Sequence, residues 1–272
     1  MAAEIRTSLA DGAYTITMDE PERGNPLSRE SYLRMVEALD DAASTDARCV
    51  VLEGAGDAFS TGADIESLGD DGSGGGGEDD DAPEPTLDDR VRTIQDHEHT
   101  LIRELITHPL PTVAKIDGAA IGDGACVGLA CDVPLASERA RIGLSHVRFG
   151  LSMDCGASYL LPRLLGRGMA MELALTGRIV DGERAHELGL VNHVYPDDAF
   201  QARADELVAE LATGPPIAQR HVKRLMRRGY DRELDDVLAD EAASQVVAAD
   251  TEDYARAAAA LRKGEQPEFV GR

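Results

Sequence analysis

The chain of 272 residues is 43% hydrophobic, enough to build one large domain, or a domain with an appendage, around a sizeable core. Its 51 acidic residues against 27 basic ones leave a formal charge of -24, which repels a nucleic-acid backbone across most of the surface. The opening MAAEIRTSLADGAYTITMDE has no basic lead into an apolar run, and no window reaches the roughly 18 uninterrupted apolar residues of a membrane span. The expectation is a cytoplasmic protein without an export signal and with neither nucleic acid nor membrane as partner. Three of the basic residues are lysines, Lys115, Lys223 and Lys263, and the rest are arginines. Such a carboxylate-rich, lysine-poor surface suits a halophilic cytosol, where molar salt shortens the screening length. Cys49, Cys126, Cys131 and Cys155 lack CxxC spacing and read as reduced core thiols, with neither a disulfide framework nor a zinc site.

In chain order, Tyr14 to Met18 reads as a strand. Ser28 then caps a helix whose Tyr32, Met35, Val36 and Leu39 recur at helical spacing and form one buried face. Cys49 to Leu52 is a second strand. Residues 69–89, GDDGSGGGGEDDDAPEPTLDD, contain almost nothing to bury and are expected to form a mobile, solvated loop; the ligand order of a calcium-binding EF-hand is absent. Thr112 to Ile116 is the next strand, announced by Pro109 and Pro111, and further strands are predicted at Asp132 to Ala136 and Val191 to Val194. From Asp197 onward the pattern is helical: Ala202 to Leu211, Pro216 to Arg228, and a long stretch from Leu234 to Leu261. Within it, Ala255 to Leu261 is more apolar than a solvent-facing helix requires and is expected to pack on another subunit.

Two segments carry unusual chemistry. Ala58-Phe59-Ser60-Thr61-Gly62-Ala63-Asp64-Ile65 follows one strand and Asp117-Gly118-Ala119-Ala120-Ile121-Gly122-Asp123-Gly124-Ala125 follows another. Small residues there leave backbone N–H groups approachable, and a helix starting near Asp123 adds the positive end of its dipole. Two such turns can hold an oxyanion between peptide donors. Either turn alone is equally explained by close strand-to-helix packing. A nucleotide cradle is excluded, because Gly122-Asp123-Gly124 lacks the third spaced glycine and no GxxxxGK[ST] occurs.

Taken with ACD at 130–132, FGLSMDCGASYLLPRLLG at 149–166, TGRIVDGERAHELGLVNHV at 176–194, and Pro216 with Lys223, these segments resemble the enoyl-CoA hydratase/isomerase, or crotonase, superfamily over residues 5–261. The resemblance implies an α/β fold, a crotonase-like ββα spiral core over residues 1–196 with a C-terminal helical region over 197–272 that assembles homotrimers or hexamers. It implies an acyl-CoA substrate, no separate cofactor since coenzyme A is part of the substrate, and no metal. Its two oxyanion donors fall on the main-chain N–H groups of Ala63 and Asp123, with Ser60, Gly62, Asp64, Ile65 and Gly122 around them as substrate-binding positions. Asp123 stands where glycine or alanine is usual, and its carboxylate is expected to point outward.

Chemistry on an acyl thioester needs an enolate held and a proton moved. Where hydratases of the superfamily carry two glutamates, this chain has Cys126 and His146. Asp154 matches instead the aspartate that several double-bond isomerases use as a proton shuttle, and Leu151, Met153 and Cys155 beside it exclude water; read locally, the same residue caps the helix through Ser158 to Arg163. His146 is either a second acid/base or a hydrogen-bonded wall residue. Cys126, a thiol without a cationic neighbour, is inert. Lys223, Arg224, Arg227 and Arg228 form the densest basic cluster, suited either to the phosphates of coenzyme A, with Lys223 foremost, or to pairing with nearby carboxylates. His97, His99, His108, His186, His193 and His221 lack metal spacing and read as surface or packing residues. The leading expectation is a 3-enoyl to 2-enoyl-CoA isomerase with Asp154 as proton shuttle. The alternatives are a 2-enoyl-CoA hydratase of the β-oxidation type using Asp154 and His146, and a non-catalytic CoA-binding or scaffold member.

Overall fold

A computed structural model describes residues 4–64 and 86–272 of the chain. Strand β1 (Glu4–Ala10) turns back on β2 (Ala13–Asp19), and helix α1 (Arg29–Ser44) follows. Ser28 caps α1 through a reciprocal pair with Ser31, and Tyr32, Met35 and Leu39 are buried along one face as their spacing requires. The chain then repeats a unit of two short strands and a helix: β3 (Cys49–Gly54) and β4 (Ala58–Ser60), then β5 (Thr112–Ile116), β6 (Ala119–Ile121) and helix α4 (Asp123–Ala130), then β7 (Val133–Ser137) and β8 (Arg141–Gly143). The first strand of each pair joins a six-stranded sheet ordered β1-β2-β3-β5-β7-β10, where β10 is His193–Tyr195. The second joins a four-stranded sheet ordered β4-β6-β8-β9, where β9 is Val180–Asp181. Every pairing from β2 to β10 in the larger sheet is parallel, so both faces must be covered.

That cover divides the core in two. Val50, Leu52, Ala114 and Ile116 point into a large cluster shared with α1, α4 and the helices α3 (Glu98–Thr107) and α5 (Ala157–Thr176), the last broken at Gly166. Alternate residues Cys49, Val51 and Val113 point the other way, onto Phe200, Ala204, Val208 and Ala212 of α7 (Phe200–Thr213). The helical region from residue 197 therefore begins with a helix that shares a core with the sheet. All four cysteines are buried and free.

Three expectations need correction. Residues 65–85 of the expected loop and its surroundings lie outside the described residues, but 86–89 are not loop: Thr86 caps helix α2 (Leu87–Asp96) in a reciprocal pair with Asp89. The long stretch from Leu234 to Leu261 is two helices, α9 (Leu234–Ala249) and α10 (Glu252–Lys263), because the Thr251 hydroxyl accepts the Tyr254 N–H and starts a new helix there. The predicted strand at Val191 to Val194 begins only at His193, after Leu190 and Val191 enter the core behind the left-handed Gly189. Two further helices complete the description, α6 (Gly182–Leu188) and α8 (Pro216–Gly229). No helix among the described residues is long and apolar enough to cross a membrane.

Candidate active site

The two glycine turns meet. Strand β4 pairs in parallel with β6, which brings the turns that follow them side by side. A Cβ on Gly62, whose φ is +94°, would lie 2.5 Å from the Ile121 carbonyl oxygen and 3.5 Å from the Asp123 nitrogen. A Cβ on Gly124 would lie 2.6 Å from the Ser60 carbonyl oxygen. Glycine is thus required at both positions by close backbone approach. Leu27 accepts from the Asp64 N–H and donates to the Gly62 carbonyl, so the intervening Ala63 N–H faces away from that bridge. Asp123 opens α4 after Gly122, whose φ is +55°, so its N–H belongs to the unpaired first turn of the helix. Neither N–H has a hydrogen-bond partner among the described residues. Two free donors therefore stand on two turns in contact, with the dipole of α4 behind one of them.

The side chains around the first turn brace it. The buried Ser60 hydroxyl donates to the Asn25 carbonyl at 2.8 Å and accepts the Gly62 N–H at 3.2 Å. Asp64 is buried and paired with Arg23 at 2.7 Å, and Arg23 also reaches Glu20. Ser60 and Asp64 thus hold the turn rather than offer themselves to a ligand. Ile65 lies outside the described residues.

At the second turn the Asp123 side chain departs from expectation. It does not point outward: it is 8% exposed, its Oδ2 accepts the Tyr32 hydroxyl at 2.7 Å, and its Oδ1 lies 2.9 Å from His146 Nε2. Burial opposes ionisation of this carboxyl, but the hydrogen bonds from His146 and Tyr32 outweigh it and hold the group below the usual carboxylate range. Burial pushes the Tyr32 phenol well up, with the Asp123 charge adding to it. His146 is therefore buried and committed through Nε2 to Asp123. Its Nδ1 is buried and has no hydrogen-bond partner among the described residues.

Asp154 sits apart from this network, past the 3-10 turn His146–Phe149. Its carboxylate accepts the Cys155 N–H at 2.7 Å and lies 2.7 Å from His99 Nε2. It does not cap α5, whose N-cap is Gly156. The Cys126 thiol donates to the Asp154 carbonyl at 3.7 Å, which ties Asp154 to the first turn of α4. Burial pushes the Cys126 thiol well up, with Asp123 and Asp154 adding, so this sulfur is no nucleophile. Asp154 and His99 line a cavity of about 590 Å³ together with Ile102, Met153, Gly156 and Tyr159. A neighbouring cavity of about 520 Å³ shares Ile106, Thr107 and Tyr159 with it and reaches Arg227, Arg228 and Arg232.

Two participants carry no signal in the sequence. His99, expected to be a surface or packing residue, is the partner of Asp154. Glu98 precedes it at the start of α3; its Oε2 is buried with no hydrogen-bond partner among the described residues. Burial foremost, then the charges of Asp123 and Asp154, raise its carboxyl to about 7. Of the remaining histidines, His97 and His108 are buried and bonded to Arg29 and to the Leu39 carbonyl, as packing residues. Lys223 is turned inward, 2.7 Å from Asp132 and 2.9 Å from the Leu110 carbonyl, so it ties α8 to the sheet instead of standing open to a phosphate. No cluster of metal-ligating side chains occurs among the described residues.

A family model described as Enoyl-CoA hydratase/isomerase matches residues 9–272. The chain belongs to the enoyl-CoA hydratase/isomerase family. This family member is 31% identical to a 1,2-epoxyphenylacetyl-CoA isomerase of Escherichia coli (strain K12), with 98% of each chain covered. It is 30% identical to 4-chlorobenzoyl coenzyme A dehalogenase-2 of an Arthrobacter species, covering 96% of this chain and 91% of that one. Among solved structures, an enoyl-CoA hydratase from Polaromonas sp. JS666 superposes with a TM-score of 0.88 at 29% identity, over 98% of this chain and 99% of that one. The ββα spiral is thus the crotonase fold, and this hydratase/isomerase family member is an enzyme.

Proposed function

We propose that this enzyme moves the double bond of an enoyl-CoA thioester from the 3,4 to the 2,3 position. The thioester oxygen accepts the main-chain N–H groups of Ala63 and Asp123. The Asp154 carboxylate takes a proton from the α carbon, the resulting negative charge rests on the thioester oxygen, and Asp154 returns the proton to the γ carbon, so that the atoms balance without a cofactor. The observation that supports this reading is Asp154 itself: a carboxylate on the wall of a cavity, held at 2.7 Å by two hydrogen-bond partners and tied through its carbonyl to Cys126 of α4, in a chain whose hydratase-glutamate positions are Cys126 and His146. The commitment of His146 Nε2 to Asp123 argues against a hydratase pair of Asp154 and His146. The arginines of the neighbouring cavity, Arg227 and Arg228, take the coenzyme A phosphates in place of the inward-turned Lys223. The exposed Met226, Val246 and Leu261 of α8, α9 and α10 supply apolar surface that joins subunits.

Incubation with a 3-enoyl-CoA should produce the conjugated 2-enoyl chromophore. Asp154→Asn should lower kcat by about three orders of magnitude or more, with thioester affinity within a few-fold of wild type. Turnover retained by this variant would remove Asp154 from the proton's path.

A second reading is favoured by one observation, the imidazole of His99 against Asp154, and by the dehalogenase relatives. A carboxylate beside an imidazole can displace chloride from an aryl carbon activated by a thioester, after which water, deprotonated by the imidazole, hydrolyses the aryl ester. Chloride release from 4-chlorobenzoyl-CoA, without conversion of 3-enoyl substrates, would establish this reading over the first.

A further inference from the structure

The residue assigned as second oxyanion donor is an aspartate, and an ionised carboxylate beside a developing enolate opposes it. At an effective dielectric of about 20, two unit charges about 5 Å apart repel strongly enough to slow the reaction by about two orders of magnitude. The structure shows what becomes of that charge. Asp123 has both carboxylate oxygens engaged, Oδ2 by the Tyr32 hydroxyl at 2.7 Å and Oδ1 by His146 Nε2 at 2.9 Å. Tyr32 arrives from α1 and is 3% exposed; His146 arrives from the turn ahead of α5 and is 9% exposed. Neither belongs to the strand-turn-helix unit that carries the donor. Among the described residues the His146 ring makes its hydrogen bond to Asp123, while Nδ1 is buried without a partner. An imidazole placed this way is oriented by Asp123 and serves it.

We propose that Tyr32 and His146 are positioning residues for Asp123, drawing its carboxylate off the thioester oxygen so that the residue contributes its main-chain N–H without setting a negative charge against the enolate. This rests on the assignment of Ala63 and Asp123 as the donor pair. It makes a distinctive demand: the two side chains matter because the carboxylate is there, so removing the carboxylate should remove the need for them.

The test compares His146→Ala, Asp123→Ala and the double variant, with Tyr32→Phe and the N–H-donating His146→Gln alongside. Two readouts are taken: turnover of a 3-enoyl-CoA, and the carbonyl stretch of bound [1-13C]butanoyl-CoA, which is not turned over and reports polarisation by the oxyanion donors. His146→Ala should lower kcat about 30-fold or more with KM within about threefold, and should shrink the downshift of the bound carbonyl; Tyr32→Phe should do the same to a lesser degree. His146→Gln should recover most of both. Asp123→Ala, which keeps the main-chain N–H, should lose less than His146→Ala in both readouts, and the double variant should match Asp123→Ala, not His146→Ala. If the double variant remains as impaired as His146→Ala, His146 acts on the substrate directly and the proposal is overturned. It is overturned equally if His146→Ala leaves the carbonyl shift unchanged. Absence of 3-enoyl turnover with the carbonyl shifts intact and ordered as expected would instead sink the isomerase reading and leave this proposal standing. Should wild type give no carbonyl downshift at all, the donor pair and the proposal fail together.

Discussion

Glu98 is a carboxylate that the fold holds partly out of water with no partner for Oε2 among the described residues, so its charged form is disfavoured. Its folded value of about 7 lies above the ordinary 4.5, which means that the folded protein binds this proton more tightly than the unfolded chain does. The stabilising contribution is therefore complete below about pH 4.5 and is lost as the pH rises through about 7. Glu98→Gln should raise the thermal midpoint at pH 8, by the equivalent of about 1 kcal/mol once partial exposure is discounted, and change it little at about pH 4.5. An equal shift at both pH values would mean that the ionisation of Glu98 carries no such cost. His99 and Glu98 could not be found from their letters. Neither has a local motif, and each gains its meaning from Asp154 and Asp123, which lie far along the chain. Tyr32 was legible as a buried helix-face residue, but nothing in the helical spacing indicates where its hydroxyl goes.

Among the elements, α1 and α4 show how far local rules reach. Ser28 ahead of a helical pattern predicts a helix start, and the structure adds a reciprocal pair with Ser31 at 3.3 Å each way. Ser28→Ala should cost about 1 kcal/mol and lower the thermal midpoint by about 2 °C, read by circular dichroism; no change would show that the first turn is held by packing alone. Helix α4 is different, because every one of its residues from Asp123 to Ala130 is buried and its apolar residues follow no stripe. Its start was still predictable, since Gly122 and Gly124 permit the close backbone approach that puts a helix N-terminus against a second turn. The parallel strands of the larger sheet were legible as apolar runs because a parallel sheet is covered on both faces, whereas the exposed antiparallel β1 was not. The short strands β4, β6 and β8, with three residues each, are too brief for alternation to show, so the second sheet was not.

For the whole molecule the dominant quantity is charge. A formal -24 on 272 residues means self-repulsion of the compact state, screened over about 10 Å at 0.1 M salt and about 3 Å at 1 M. Raising KCl from about 0.1 M to about 2 M should therefore raise the thermal midpoint by several degrees, and a flat or falling midpoint would show that the surface charges are already compensated by local pairing. Membership of the enoyl-CoA hydratase/isomerase family was readable in the letters, because the close approach of two turns needs small residues at strand ends and the proposed proton carrier is a single carboxylate in a motif of its own. Those demands are local, and glycine, alanine and aspartate express them directly. What the side chains of Asp123, His99, Glu98 and Lys223 do was decided only by folding. Each is polar and each could have met water. Whether it meets water, another side chain or a cavity depends on which distant element packs against it, and pairings between residues tens of positions apart leave no period in the sequence to be read.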